Sequence, residues 1–390
     1  MAKYNKQHTT LGVKTKTYKQ KFSKQWLKTY IPIFSSMLAL FIFSIITILV
    51  MPSIQTKVIN SSTLNNSYAS GLPYKMVAPF VDMTSWITPG TDSSINGAPN
   101  LGKFVQDTGI KHYNLGFINP VANNPTNTDD SINWAWGGYS SLTKNSTNSQ
   151  YLGIVQSMQN LLDAGGSYII SVGGQAGDAP WKVSQNTTSL QNMYLDIINT
   201  YGIKRLDLDI EESNQDYDHN IANAKAIKKV QDQTNIEITL TIPIMPTGWE
   251  SKQLNIIDAY LSQGVNITMV NSMCMCYGTG VSSGEDYGDA SIRAIENSIK
   301  QMKILYSNYG IELTDVQAYK KTGCTVSIGY ESNLYPTFTT SMMQKVTNHA
   351  KENNYGMLTF WSMGRDSKIE TNAGISSKYA YTNIALEYLN

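Results

Sequence analysis

The sequence predicts an α/β fold in which eight short strands alternate with helices. Residues 74–390 contain eight short runs rich in Val, Ile and Leu, and longer polar or amphipathic stretches separate them. Three of these stretches, residues 151–164, 221–232 and 290–306, carry apolar residues at helical spacing. The strand-like runs are residues 76–82, 112–117, 167–172, 205–210, 237–242, 267–275, 325–328 and 357–361.

Eight strand–helix units are typical of a (β/α)8 TIM barrel, although this region is slightly longer than the ~250 residues usual for that fold. A doubly wound open sheet would give a similar alternation, but no Gly-rich phosphate loop follows the first run. We therefore predict a barrel, in which the active site lies at the carboxyl ends of the strands.

The amino-terminal part of the chain predicts a single transmembrane helix before this domain. Residues 31–50 contain no charged side chain, and about 20 apolar residues match the ~30 Å hydrocarbon core of a bilayer. Eight Lys residues precede them, so residues 1–30 are expected in the cytoplasm and the rest outside the cell. An uncleaved anchor, residues 31–51, is favoured over a cleaved signal sequence because the apolar segment is long for a signal peptide. Residues 52–73, rich in Ser, Asn and Thr, predict a flexible linker to the domain of residues 74–390.

The composition argues against several classes of function. The formal net charge of +1 favours no nucleic-acid partner. The three Cys residues are too few for a disulfide framework or a zinc site, and buried free thiols are favoured over a Cys276–Cys324 bridge. Of the four His residues only His112 lies in a predicted strand, near its start, which disfavours a metal-dependent barrel hydrolase. We expect a monomer without metal or cofactor.

The strongest candidate site is the run Asp207-Leu-Asp209-Ile-Glu211 in the fourth predicted strand. Alternate residues of a strand share a face, so the three acids would line the barrel interior about 6.6–7 Å apart. Such close carboxylates repel one another and cannot all be ionised near neutral pH. An acidic edge strand facing water is disfavoured, because the inner side of a barrel strand has no solvent face. We predict that Glu211, nearest the carboxyl end, keeps a proton and donates it to the leaving oxygen of a glycosidic bond.

A glycosidase with two acids needs a second carboxylate across the cleft. Asp82, at the end of the first predicted strand, is the candidate that the sequence offers. Without it the substrate must supply its own nucleophile. A 2-acetamido group can do so, because its carbonyl oxygen can attack the anomeric carbon.

Four motifs occur in the order found in one known family. Residues 206–211 resemble the fourth-strand signature of family-18 glycoside hydrolases, the chitinases and their relatives. Residues 171–174, 273–277 and 360–362 resemble the family's third-, sixth- and eighth-strand motifs. The resemblance covers residues from about 75 to 385, and the body resembles in particular bacterial chitinases with a Phe-Val-Asp-Met-like first strand.

The resemblance implies a role for each residue of the motifs. Glu211 is the general acid and base, Asp209 orients the acetamide and stabilises the oxazolinium-like intermediate, and Asp207 shares a proton with Asp209. Tyr277 hydrogen-bonds the acetamide oxygen, and Trp361 forms the apolar floor under the sugar ring. The resemblance thus implies retaining, substrate-assisted hydrolysis of β-1,4 bonds in N-acetylglucosamine polymers, chitin or chitooligosaccharides.

Two positions depart from the family pattern. The family has an acid three residues before Asp207, where this chain has Lys204, and we expect a packing role there. In the sixth-strand motif Cys276 replaces the Asp that follows Met275. Because that acid commonly contacts the substrate or the catalytic Glu, its loss is expected to shift the pH optimum or the specificity.

Of the five tryptophans that follow the predicted strands, at least two are expected to line and extend the cleft, because sugar-binding grooves use exposed aromatic rings. Each one taken singly could equally pack inward as a loop tryptophan. Further contacts with the sugar are expected from Asp82, Gln175, Met245 and Met275. The tryptophans are Trp86, Trp134, Trp136, Trp181 and Trp249.

Two alternatives remain at this point. A non-catalytic, lectin-like glycan-binding barrel is disfavoured because such relatives usually lose the acid that this chain keeps as Glu211. An endo-N-acetylglucosaminidase acting on peptidoglycan or N-glycans would use the same chemistry, since all these substrates carry a 2-acetamido sugar.

Overall fold

The computed structural model describes residues 72–122 and 131–390. The predicted cytoplasmic segment, residues 1–30, and the predicted anchor, residues 31–51, lie outside the described residues, as does nearly all of the predicted linker. In the part of the chain that is described, no helix is both long enough and apolar enough to cross a membrane.

Eight parallel strand positions form a closed barrel, which confirms the predicted fold. The first predicted strand consists of two pieces, Met76–Val77 (β1) and Phe80–Asp82 (β2). They close the sheet, because β1 pairs with Met357–Trp361 (β12) while β2 pairs with His112–Pro120 (β5). Between them the strand order is β12-β11-β10-β9-β8-β7-β5. The barrel strands are β1 (Met76–Val77), β2 (Phe80–Asp82), β5 (His112–Pro120), β7 (Ser167–Gly173), β8 (Arg205–Asp209), β9 (Glu237–Pro243), β10 (Ile267–Cys274), β11 (Thr322–Ser327) and β12 (Met357–Trp361).

Three short strands lie outside the barrel ring. β3 (Ser94–Ile95) and β4 (Ala98–Pro99) form a hairpin after β2. β6 (Trp134–Trp136) pairs antiparallel with the end of β5. This pairing explains why β5 continues to Pro120, beyond the predicted end at residue 117.

Helices connect the strands and cover the outside of the barrel. The three predicted helices are all present, as Ser149–Asp163, Tyr217–Thr234 and Tyr287–Ser307, each with its ends extended or shifted by one to four residues. Several begin at an Asn, Asp or Thr whose side chain accepts a hydrogen bond from the first turn, as Asn186 and Asp286 do. The helices are α1 (Leu101–Thr108), α2 (Ser149–Asp163), α3 (Pro180–Val183), α4 (Thr187–Tyr201), α5 (Tyr217–Thr234), α6 (Ser251–Ser262), α7 (Tyr287–Ser307), α8 (Asp315–Lys320), α9 (Thr340–Asn353), α10 (Met363–Asp366) and α11 (Ala380–Leu386).

Apolar residues fill two separate regions. The large cluster lies between the strands and the helices and includes Leu206, Leu208 and Ile210. A small cluster contains Met76, Ala78, Ile169, Met269 and Met357, from alternate positions on their strands. Buried polar side chains follow these residues toward the carboxyl ends of the strands, where the chemistry is expected.

All three cysteines are free thiols, so the Cys276–Cys324 bridge does not form. Cys274 and Cys324 are buried, as expected. The expectation of burial is wrong for Cys276, which is exposed. It comes after the last residue of β10, at the barrel mouth, where a left-handed backbone (φ 55°) turns the chain away from the strand direction.

Candidate active site

The three acids of the fourth barrel strand form a ladder that rises toward the barrel mouth. Asp207 is fully buried and Asp209 is 3% exposed, both within β8. Glu211 is half-buried and lies two residues beyond the end of the strand. The intervening Leu208 and Ile210 pack into the outer apolar cluster. The period of two therefore separates an acidic inner face from an apolar outer face.

Asp207 is held by hydroxyl groups from both neighbouring strands. Ser171 Oγ on β7 donates to Asp207 Oδ2 (2.5 Å), and Thr241 Oγ1 on β9 donates to Asp207 Oδ1 (2.6 Å). Burial raises the pKa of Asp207 to about 6, and the two hydroxyls and the Arg205 charge oppose that rise. The two donated hydroxyl protons thus stabilise the ionised form of Asp207.

The pKa values of the upper two acids, Asp209 and Glu211, are also raised. Burial, together with the nearby charges of Glu211 and Asp207, raises the pKa of Asp209 well above its usual range. Burial and the Glu212 charge raise the pKa of Glu211 to about 7, although a hydrogen bond from Asp209 opposes the rise. Glu211 therefore carries a proton up to about neutral pH, as a general acid must.

Two glycines allow the end of β7 to approach the ladder closely. Gly173 has φ 109°, and a Cβ placed there would lie 2.2 Å from the carbonyl oxygen of Asp209. Gly174 has φ 88°, and its backbone N–H donates to that same oxygen (3.0 Å). The family-like Ser-Val-Gly-Gly motif thus fixes the backbone of Asp209 through a contact that only glycine permits.

Gly173→Ala is expected to lower the free energy of unfolding by about 2–4 kcal/mol and to reduce activity, because the added methyl group displaces Asp209. Thermal unfolding and initial-rate measurements check this. Gly177→Ala is the matched control, since Gly177 has a similar φ of 90° with nothing within 4 Å of the added Cβ. Equal effects of the two substitutions would show that the close contact with Asp209 is unimportant.

An aromatic cluster lies at the same end of the barrel. Trp361, at the end of β12, is half-buried and stacks on Phe117 with ring centroids 5.9 Å apart. Phe80 lies 6.2 Å from Phe117 and 6.3 Å from Trp361. The sequence reasoning named Trp361 but missed both phenylalanines. Phe80 could have been found, because it occupies the position in β2 two residues before Asp82 and so shares its face.

Four of the five strand-following tryptophans pack inward, so the expectation that at least two of them line the groove is wrong. Trp136 and Trp181 are fully buried, and Trp134 and Trp249 are 4% and 3% exposed. The reason is a partner for each indole N–H, which lets the ring pack inward. Trp136 Nε1 donates to Tyr201 (2.9 Å) and Trp181 Nε1 to the Asn214 carbonyl (2.8 Å); Trp134 and Trp249 donate to Asp196 and Ser272.

Trp86 is the exception, being 61% exposed in the loop after β2. Its ring packs against Gly97 in the β3–β4 hairpin, where a Cβ would lie 2.2 Å from the indole. Tyr139, which follows β6, is 58% exposed and packs against Gly137 in the same way. The sequence reasoning missed Tyr139 because it considered only tryptophans as groove residues.

The structure does not bring Tyr277 into the cleft. Its ring is 2% exposed and packs edge-on against Tyr287 of α7, with centroids 5.1 Å apart. Its hydroxyl is hydrogen-bonded to Ser291 Oγ (3.0 Å) on the same helix. This position contradicts the predicted contact between the Tyr277 hydroxyl and an acetamide oxygen. The left-handed turn at Cys276 reverses the alternation and sends Tyr277 toward the helix layer, while Met275 stays half-buried.

Asp82 is bound within its own turn. Its Oδ1 accepts hydrogen bonds from the Thr84 backbone N–H (2.9 Å) and the Thr84 hydroxyl (2.7 Å), and its Oδ2 accepts one from Ser85 Oγ (3.0 Å). Gln175 is exposed in the loop after β7, and Met245 is half-buried in the loop after β9. Both lie at the active-site end of the barrel.

One charged pair near Cys276 was not predicted. Arg365 of α10 binds Glu331, in the loop after β11, with Nη1 to Oε2 2.6 Å apart, and also binds Ser327 Oγ (2.9 Å). Burial, together with the charge of Glu331, raises the pKa of the Cys276 thiol to about 11. Cys276 is therefore a neutral side chain where the family has an acid. Within the described ranges no group of three His, Cys, Asp or Glu residues could hold a metal ion.

Sequence and structure comparisons agree with this geometry. The chain is 28% identical over 336 residues to a probable bifunctional chitinase/lysozyme of Escherichia coli strain K12, and 28% identical over 307 residues to endochitinase 11 of Metarhizium anisopliae. The catalytic domain of a hyperthermophilic chitinase from Pyrococcus furiosus superposes with a TM-score of 0.67 at 23% identity, covering 83% of this chain and 97% of that one. The chain is thus similar in sequence to two curated chitinases and has the fold of a chitinase catalytic domain.

The match to the curated chitinases is partial in length. It covers 80% of this chain but 34% of the Escherichia coli protein, and 75% of this chain but 53% of the Metarhizium anisopliae protein. The chain thus spans about a third to a half of the length of these relatives. No family model matches the sequence.

Proposed function

We propose that this protein hydrolyses β-1,4 bonds between N-acetylglucosamine units by a retaining, substrate-assisted mechanism with Glu211 as general acid and base. The observation that carries the proposal is the environment of Glu211. This carboxyl group is half-buried at the top of the acid ladder, and its pKa is raised to about 7, so it can donate a proton near neutral pH.

The ladder and the aromatic cluster supply the parts that the chemistry needs. Glu211 gives its proton to the glycosidic oxygen while the acetamide carbonyl oxygen of the same sugar attacks the anomeric carbon, so the bond to the leaving group breaks. Asp209 orients the acetamide and stabilises the oxazolinium-like intermediate. Glu211 then takes a proton from the water that opens this intermediate, which restores the enzyme and retains the configuration.

The state of Asp82 favours the substrate as nucleophile over a second enzyme carboxylate. Both Asp82 oxygens accept hydrogen bonds from Thr84 and Ser85, within three residues along the chain. A carboxylate stabilised in this way is a weaker nucleophile and is held at its own turn. In the ladder, by contrast, Asp209 has a buried oxygen, Oδ1, without a hydrogen-bond partner among the described residues.

Chitin and chitooligosaccharides are the proposed substrates. Catalytic-site mutants of the Pyrococcus furiosus domain have been crystallised with chito-oligosaccharides, at 23% identity to this chain. The name of the Escherichia coli relative adds lysozyme activity, so peptidoglycan, which carries the same 2-acetamido group, is the second candidate. We also propose that the domain acts outside the cell, tethered by residues 31–51.

The proposal is tested by incubating the purified barrel domain with chitohexaose, colloidal chitin and peptidoglycan, and by identifying the products by mass spectrometry. Release of N-acetylglucosamine oligomers from the first two supports it. Tight binding to chitin without any product would instead indicate a lectin-like barrel, and release of muropeptides alone would make peptidoglycan the substrate.

Trp86→Ala is expected to raise KM for polymeric chitin about twofold to tenfold and to leave kcat on a chitotriose analogue unchanged. The exposed ring can stack on a sugar unit beyond the cleaved bond, a contact worth about 0.5–1.5 kcal/mol. Tyr74→Ala is the control, since Tyr74 is 69% exposed but precedes β1, at the opposite end of the barrel. Equal losses for the two variants would contradict a role of Trp86 in polymer binding.

A further inference from the structure

A chain of buried hydrogen bonds crosses five consecutive barrel strands beneath the catalytic ladder. Thr325 Oγ1 on β11 donates to Asn271 Oδ1 on β10 (2.9 Å), and Asn271 Nδ2 donates to Thr241 Oγ1 on β9 (3.0 Å). Thr241 then donates to Asp207, and Ser171 on β7 donates to the other oxygen of that carboxylate. Apart from Thr325, which is 2% exposed, and Thr241, at 1%, these side chains are fully buried.

From Thr325 to Asp207, every hydrogen bond in this series is donated toward Asp207. An amide nitrogen donates and cannot accept, so Thr241 must accept from Asn271 and has its single hydroxyl proton left for Asp207. With the amide turned over, Thr241 could donate to the amide oxygen and Asp207 would lose a donor. The orientation of Asn271 therefore decides whether the lowest acid of the ladder accepts one or two hydroxyl protons.

Gly323 makes room for this orientation. A Cβ at Gly323 would lie 2.6 Å from Asn271 Oδ1 and 3.0 Å from its Cβ. Gly323 is directly opposite Asn271 in the parallel pairing of β10 with β11. A side chain at this position would push the amide away from Thr325 and Thr241, without changing any polar group of the chain.

We infer that Thr241, oriented by Asn271 and Thr325, is a positioning residue that keeps the negative charge of the acid ladder on Asp207 and so keeps the protons on Asp209 and Glu211. The inference rests on the proposed function, because it concerns the protonation of the proposed general acid. A carboxylate whose two oxygens each accept a hydrogen bond is stabilised in its ionised form.

The groups that stabilise the negative charge of Asp207 are the two hydroxyls and one cation, Arg205. Arg205 and Asp209 share its strand face, and Arg205 is paired with Glu237 at the start of β9 (2.7 Å). Ser171 and Thr241, which face it from the adjacent strands, do not titrate. An ionised Asp207 repels negative charge on Asp209, and this repulsion is one of the causes that raise the pKa of Asp209.

The test compares pH profiles of kcat/KM on a chitooligosaccharide for the wild type and Thr241→Val. Loss of the hydroxyl makes Asp207 take up a proton more readily, so Asp209 and Glu211 release theirs at lower pH. The alkaline limb is expected to move to lower pH by about half a unit to one unit, with KM at pH 6 unchanged within twofold. Thr241→Ser, which restores the hydroxyl, is expected to restore the wild-type limb.

Thr239→Val is the matched control. Thr239 lies two residues earlier on β9, is fully buried, and its hydroxyl has no hydrogen-bond partner in the part of the chain that is described. Its substitution is expected to leave the alkaline limb in place. Gly323→Ala provides a second route, with the same shift expected from a displaced Asn271, and it replaces Thr241→Val if that variant does not fold.

The outcomes separate the two proposals. A wild type without activity on any N-acetylglucosamine polymer would overturn the proposed function. An active wild type whose alkaline limb is unchanged in Thr241→Val and in Gly323→Ala, or moves equally in Thr239→Val, would overturn this inference alone.

Discussion

Glu211→Gln is expected to lose on the order of 10³-fold in kcat on chitooligosaccharides and to bind them with an affinity close to that of the wild type. The amide keeps the shape and the hydrogen bonding of the side chain but cannot donate a proton to the glycosidic oxygen or take one from water. Because the same carboxyl group is proposed for both steps, neither half of the reaction has a substitute for it. Single-turnover kinetics and calorimetric titration measure the two quantities separately.

The adjacent Glu212 is the matched control for this prediction. It is exposed, and its charge is one of the causes that raise the pKa of Glu211 to about 7. Glu212→Gln is therefore expected to keep the maximal rate within threefold and to move the alkaline limb to lower pH, because Glu211 then loses its proton more readily. A Glu211→Gln variant with more than a tenth of the wild-type rate would contradict its role as general acid.

Asp209→Asn is expected to lower kcat by about 10²–10³-fold, with much less effect on substrate affinity. Asp209 lies between Asp207 and Glu211, is 3% exposed, and has one buried oxygen without a hydrogen-bond partner among the described residues. An asparagine at this position cannot share or release a proton as the Asp209 carboxyl group can, so it stabilises the positively charged intermediate less. Initial rates on chitooligosaccharides, with binding measured on the same preparations, check the prediction.

Asp82→Asn distinguishes the two mechanisms that the sequence leaves open. Asparagine can keep both bonds from Thr84 and lose the one from Ser85, so we expect a rate within threefold of the wild type and a small loss of stability. If Asp82 were the nucleophile of a two-acid glycosidase, its substitution would instead be as damaging as Glu211→Gln. That result would refute substrate assistance while leaving the glycosidase assignment intact.

The barrel and the acid ladder could be predicted because both depend on local periodicity. Eight apolar runs at regular separation give the strand order, and the alternation of acidic and apolar residues in 206–211 gives the inner face of β8. The direction of the Glu211 pKa shift was also predicted, but its causes are burial and the Glu212 charge, while the hydrogen bond from Asp209 opposes it.

The positions of the aromatic side chains could not be predicted in the same way. Trp136 and Trp181 follow strands just as Trp86 does, but their indole N–H groups find partners in α4 and in the loop after β8, and the rings are buried. These partners are 65 and 33 residues away along the chain. Burial of a large ring depends on such distant packing, which periodicity does not report.

The sequence by itself therefore determined the fold, the ladder and the identity of the candidate acid Glu211, because each follows from the spacing of residues along the chain. The tertiary structure decided which residues stand around that acid. It moved Tyr277 into the helix layer, bound Asp82 in its own turn, and brought Thr241 and Ser171 to the two oxygens of Asp207. These contacts join residues from different strands, so their geometry exists only once the barrel has closed.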